Sequence, residues 1–207
     1  MPVSGIGGRK KKASKLYKVG QDFRISTSAG WNMENFDALG VGPVLYSPRG
    51  KRSFPPLLET PRLLIARSFG RPPADWEPFH DFWLVSHRMK NVLETVDREG
   101  VAFLRCETRS LRGEAPVYWL CDIVRELDVI DEEKSNFEVL DDGTDFRRYR
   151  LMTPDSSYVF REEVIGAAHV FRARFLNQVI CDQAMKDACK VAGLKGLRFG
   201  DAYSNWA

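Results

Sequence analysis

Residues 85–104 (VSHRMKNVLETVDREGVAFL) and residues 181–200 (CDQAMKDACKVAGLKGLRFG) lie over each other without a gap, 96 positions apart. Each stretch, with its flanks, spells strand, cap, amphipathic helix, glycine, strand. In the first, FWLV (82–85) is apolar and aromatic, as a buried strand is. Ser86 then stands where an N-cap belongs, and Met89, Val92, Leu93 and Val96 form one helical face. Gly100 stops the helix before VAFLRC (101–106). The second copy uses QVIC (178–181), Asp182 as cap, and Met185, Ala188, Cys189 and Ala192 as the stripe. Gly193 and Gly196 close it before LRF (197–199). Four of fifteen positions are identical from Met89 to Phe103, so a shared physical grammar is supported and common descent is not. Lys90 and Lys186, each beside a core methionine, are expected to face solvent. Such units bury a helix against a sheet, which restricts the chain to α/β and α+β architectures.

Between and before the copies the pattern is β-like. VYWLCDIV (117–124) is long and apolar, hence a central strand. FRRYRLM (146–152), SSYVFREEV (156–164) and HVFRARF (169–175) alternate as half-exposed strands do. LYKVGQDF (16–23) and LLIAR (63–67) are shorter candidates. From Trp31 to Pro73 the chain is broken by Gly40, Gly42, Pro43, Pro48, Pro55, Pro56, Pro61, Pro72 and Pro73, which excludes a long helix. The expected organisation is a disordered basic tail over 1–15, an irregular proline-rich arm over 16–80, and a core over 81–207. The arm wraps the core, so that 16–207 make one compact domain. The fold class is α+β, with a mixed or mainly antiparallel sheet, a few packed helices and the irregular N-terminal arm.

Known catalytic patterns are absent: no Walker loop, dinucleotide fingerprint, nucleophile elbow or HExxH helix occurs. Cys106, Cys121, Cys181 and Cys189 have no CxxC spacing and suit the role of small hydrophobes, so no metal, disulfide or cofactor is expected. His80, His87 and His169 are scattered and read as structural or exposed. Asp122, Asp128 and Asp131 leave open a small hydrolase using carboxylates near the central strand; a solvated acidic loop is the plainer reading.

No apolar run reaches the ~20 residues of a membrane span, and the basic cluster GRKKKASKLYK (8–18) leads into polar residues rather than a signal-type apolar segment. A cytoplasmic location is therefore expected. With a net charge of only +3, nucleic-acid binding would rest on that short tail alone. The opposite charge gathers in 126–145. There Asp131, Glu132, Glu133, Glu138, Asp141, Asp142 and Asp145 interleave with Phe137 and Phe146. Carboxylates with aromatic anchors suit a basic protein partner, since complementary charge steers encounter and buried rings supply affinity. An ordinary charged face is the alternative.

Taken in order, the segments 82–106, 117–139 and 169–199 resemble the immunity proteins of bacterial polymorphic toxin systems grouped as the eleventh immunity family. The residues carrying the resemblance are Ser86, then Tyr118 and Leu120, then Asp128, Asp131 and Ser135. Phe171-Arg172, Cys181-Asp182 and Gly193 to Phe199 complete it. YKVGQDF (17–23) resembles the usual start of the family. Asp122 stands where that pattern carries Asn, and the arm from Trp31 to Pro73 matches none of it. The resemblance implies a protein without catalytic residues that binds and neutralises a cognate toxin encoded nearby, in the cytoplasm of the producing cell. The recurring residues it shares are architectural: caps, glycines and strand apolars.

Overall fold

The computed structural model describes residues 15–22, 24, 28–48, 50–141, 143, 147–176 and 178–204. Apart from Lys15, the expected basic tail lies outside these, as do Asp142, Asp145 and Phe146. The elements are β1 (Leu16–Gln21), β2 (Trp31–Met33), β3 (Arg62–Ile65), β4 (Trp76–Phe79), β5 (Phe82–Ser86), α1 (His87–Asp97), β6 (Val101–Arg105) and β7 (Glu107–Ser110). There follow β8 (Tyr118–Ile123), β9 (Glu126–Leu127), β10 (Glu138–Asp141), β11 (Arg147–Arg150), α2 (Glu162–Ile165), β12 (Val170–Ala173), β13 (Gln178–Asp182), α3 (Gln183–Val191) and β14 (Leu197–Asp201). They form sheets ordered β4-β5-β8-β6, β14-β1-β13-β12-β9, β2-β3-β7 and β10-β11. Among the described strands, only β9–β12 and β3–β7 pair in parallel. This is an α+β protein with mainly antiparallel sheets.

The two stretches 96 residues apart are the same unit in space. In the first, β5 and β6 both pair antiparallel with β8; in the second, β13 and β14 both pair antiparallel with β1. Each helix thus links two parallel strands across an antiparallel middle strand. The register repeats as well. Ser86 faces Tyr118 and Phe103 faces Cys121, while Asp182 faces Leu16 and Phe199 faces Val19. Chain order differs, because the middle strand follows the first unit but precedes the second by most of the chain. Residues 16–21 therefore belong to the second unit's sheet rather than to the arm.

Local devices explain why the helices start and stop where they do. Ser86 Oγ accepts from the Met89 N–H at 3.2 Å, and Asp182 Oδ1 from the Met185 N–H at 3.0 Å. After α3, Gly193 adopts φ +61°, with Gly193 N–H to Lys190 O at 2.9 Å and Leu194 N–H to Cys189 O at 3.1 Å. This is the paired bonding of a Schellman end. Gly100 serves differently: a Cβ there would sit 2.9 Å from the Val170 carbonyl oxygen, so close approach of the second unit selects glycine.

The paired lysines correct the sequence expectation. Lys90 Nζ lies 4.8 Å from the Trp119 ring centroid and 5.2 Å from that of Phe103. Lys186 Nζ lies 3.4 Å from Tyr17 and 5.9 Å from Phe199. Trp119 and Tyr17 occupy the same place in their middle strands, so each unit lays a lysine over its aromatic strand face. Helix periodicity alone does not reveal this, because the rings come from the strands beneath each helix and not from the helix itself.

The helices α1 and α3 pack on each other. Beneath them one core runs through both units, with Val85, Met89, Leu93 and Cys121 from the first and Val179, Cys181, Met185 and Cys189 from the second. The opposite face of the first sheet (Phe82, Leu84, Leu120) is covered by Met33, Leu45 and Leu63 of the arm. The opposite face of the second sheet (Leu16, Phe171, Ile180) is covered by Val129, Ile130, Tyr158 and Phe160. The arm and the 129–165 excursion thus play equivalent parts.

Two strand expectations fail on this arrangement. Residues 156–164 form no strand, only single bridges of Ser157 with Asn136 and Phe160 with Ile130 before the short α2. Their alternation reports which side chains enter the core, not pairing. HVFRARF is a strand over β12, but all four of its residues are buried, Arg172 included, because cores lie on both of its faces. The structure also holds β2, β4, β7, β9 and β10, none of which the patterning singled out. β4 carries Pro78 on a sheet edge, where proline's missing donor costs little.

Ser86 does more than cap, since its hydroxyl also donates to the buried Asp75 Oδ1 at 2.6 Å. Ser86→Ala is expected to cost about 1–2 kcal/mol, and Asp182→Ala about 1 kcal/mol, read as shifts in the urea midpoint.

Candidate functional site

The acidic segment folds into the excursion that covers the second unit. β10 and β11 pair with Glu138 opposite Arg150 and Asp141 opposite Arg147, so EVLD is zipped against RRYR. Glu138 bonds Arg150 at 3.0 Å, and Glu132 bonds Arg147 at 2.7 Å and accepts from the Tyr149 hydroxyl. Asp131 bonds Lys134, which holds its carboxyl below the ordinary aspartate value. Burial and Glu132 push the Tyr149 hydroxyl up to about 12. Asp141 Oδ1 accepts from the Gly143 N–H at 2.9 Å and shapes the turn. Phe137 is half-buried, its ring 4.4 Å from that of Tyr149 and 5.7 Å from that of Tyr158.

The structure therefore gathers Asp131, Glu132, Glu133, Phe137, Glu138 and Asp141 on one excursion, while Asp142 and Asp145 lie outside the described residues. What the acidic pattern missed is the set of cations built into the same hairpin, visible in the sequence as RRYR. Seven carboxylates still face only four cations between Asp131 and Arg150, so a negative excess remains. Glu133 and Asp141 are exposed, with Val139 and Met152 as exposed apolar neighbours. Such a surface can steer and grip a basic partner.

The carboxylates considered for hydrolysis are not assembled. Asp128 is exposed and bonds Arg161 at 3.0 Å, and Asp131 bonds Lys134. Asp122 is wholly buried in β8, its Oδ1 at 2.8 Å from Arg52 Nε and 3.5 Å from Arg172 Nη2. Arg52 also bonds Asp81 at 3.1 Å, and Arg172 donates to the Asp81 carbonyl oxygen at 3.0 Å. Arm, first unit and second unit meet at this network. Burial pushes the Asp122 carboxyl up further than the two arginines bring it down.

The histidines are equally dispersed. His80 sits in the β4–β5 turn at φ +55°, its ring 4.9 Å from that of Phe36, and burial lowers its imidazole. His87 opens α1 beside Trp119, and His169 Nδ1 lies 2.8 Å from Asp182 Oδ2. Among the described residues, no group of three or more His, Cys, Asp and Glu is placed to hold a metal ion. All four cysteines are buried free thiols, and burial pushes that of Cys106 up to about 12. No described helix is long and apolar enough to cross a membrane.

No curated protein matches the sequence. A family model described as the Imm11 immunity protein family does, over residues 12–204. The match takes in the proline-rich arm as well as both repeated units and the acidic excursion, in keeping with the arm's place in the core. On that coverage, the chain belongs to the Imm11 immunity protein family.

Proposed function

We propose that this protein binds a cognate bacterial toxin in the cytoplasm and neutralises it by protein–protein contact, without catalysis, using the acidic β10–β11 excursion. The toxin is the product of an adjacent gene in a polymorphic toxin system. Membership of an immunity family carries the reading. The negative excess of the excursion supports the choice of surface, because a toxin that acts on nucleic acid presents a basic cleft. Glu133 and Asp141 supply charge at the rim, and Val139 and Met152 supply apolar area.

The test is the toxin affinity of a Glu133→Lys/Asp141→Lys variant, measured by calorimetry against the purified neighbour-gene product. We expect it to weaken by about 10- to 100-fold, mostly through slower association at low salt, in a variant whose circular dichroism shows the fold retained. Unchanged affinity in the folded variant removes this surface from the interface.

A further inference from the structure

At the far end of the molecule's parallel β3–β7 pair the chain encloses an open cleft of about 480 Å³. Its floor is backbone fixed on several sides. Gly30 N–H donates to Arg71 O at 2.6 Å, Ala66 N–H to Gly30 O at 3.0 Å and Arg71 N–H to Ser28 O at 3.1 Å. A Cβ on Gly30 would fall within 2.9 Å of the Gly70, Ala66 and Arg71 carbonyl oxygens, so glycine is what lets these segments meet. The cleft is therefore preformed, which lowers the ordering cost of filling it.

Among the described residues, three arginines and no carboxylate line it. Arg71 is held by the buried Glu77, with Nη1–Oε1 2.5 Å and Nη2–Oε2 3.0 Å, so its charge is balanced. Arg67 and Arg112 are exposed and make no ion pair among the described residues. Ile65, Pro72 and Leu111 supply apolar lining, Leu111 is 66% exposed, and Phe69 stands 43% exposed in the Ala66–Gly70 turn. Two uncompensated guanidinium groups around an apolar trough match a carboxylate flanked by apolar side chains. A nucleic-acid strand would need a longer cationic track and would leave the trough unfilled.

We propose that this cleft is a second docking surface, which takes an acidic segment of a protein partner with aliphatic or aromatic residues beside its carboxylates. It does not rest on the toxin assignment, since its charge is opposite to that of the β10–β11 excursion.

The test is a titration of the isotope-labelled full chain with the hexapeptide acetyl-Glu-Leu-Glu-Phe-Glu-Leu-amide, followed by amide NMR. Its lysine-for-glutamate analogue and a short oligothymidylate serve as comparison probes. Saturable shifts confined to residues 66–71 and 110–112 are expected for the acidic peptide alone. Arg67→Glu/Arg112→Glu should weaken them at least about tenfold with an unchanged melting temperature. Four results overturn the proposal: no saturable shift, equal binding of the lysine peptide, tighter binding of oligothymidylate, or an unaffected charge-reversed variant. A fifth result, shifts at the cleft that follow protein concentration without peptide, also overturns it and assigns the cleft to a second copy of this chain.

Discussion

Asp97→Ala is expected to lower the unfolding free energy by about 3–5 kcal/mol, the scale for breaking a buried, hydrogen-bonded ion pair. Asp97 ends α1 and is 8% exposed. Its Oδ2 accepts from the His169 N–H at 2.7 Å, from the Val170 N–H at 3.1 Å and from Arg125 Nη1. One carboxylate oxygen of the first unit therefore satisfies the backbone that opens β12 of the second. Alanine leaves two backbone N–H groups without this acceptor, and leaves Arg125 with the Val170 carbonyl oxygen at 3.4 Å and the exposed Glu99 carboxylate at 4.0 Å. The acidic charge at a helix C-terminus is unfavourable in itself, so its presence there is explained by these partners rather than by α1.

The pH dependence has a definite sign. Burial pushes the Asp97 carboxyl up, but Arg125 and the two N–H groups outweigh it and hold the folded value below that of the unfolded chain. The native state then binds fewer protons than the unfolded state. The stabilisation is complete above the unfolded aspartate value of about 3.9 and is lost as pH falls through the depressed folded value. The wild-type and Asp97→Ala stability curves should therefore converge on acidification. Parallel curves across that range would show that the carboxylate is not the stabilising species.

Asp122→Ala should cost a comparable amount, about 3–5 kcal/mol, for a different reason. Here the folded carboxyl is shifted up, so burial of the charge is not fully offset by Arg52 and Arg172. Removal is nonetheless damaging, because Arg172 is 7% exposed and would keep only the Asp81 carbonyl contact. Asp122→Leu with Arg172→Met, which removes the two most buried charges and leaves Arg52 on Asp81, should recover part of the loss, as buried pairs replaced by apolar groups often do. The raised value also reverses the pH sign. Asp122 favours the folded state most below about pH 3.9, and that advantage declines as pH rises through its folded value. Urea midpoints of the single and double variants across pH decide both points.

The repeated units were legible because caps, stripes and terminal glycines are local signals, and Ser86, Asp182 and Gly193 act as those signals imply. The middle strands were not legible. Nothing local shows that LYKVGQ pairs with chain segments more than 150 residues away, nor that Lys90 would meet Trp119 and Lys186 would meet Tyr17 on the middle strands. Asp122 offered a clue that alternation and loop composition obscured. A carboxylate inside WLCDIV must be paired if that strand is buried on both faces, and its partners come from the arm and from β12. The acidic excursion was visible as charge, whereas its internal neutralisation depended on β10 finding β11.

Binding between this chain and the toxin proposed as its partner is the most direct test of the account. Mixed as purified proteins, the two should form a stoichiometric complex in which toxin activity is abolished. Glu133→Lys/Asp141→Lys should weaken that complex, while Arg67→Glu/Arg112→Glu should leave it intact. A toxin that stays active and unbound in the presence of excess folded protein would contradict the account.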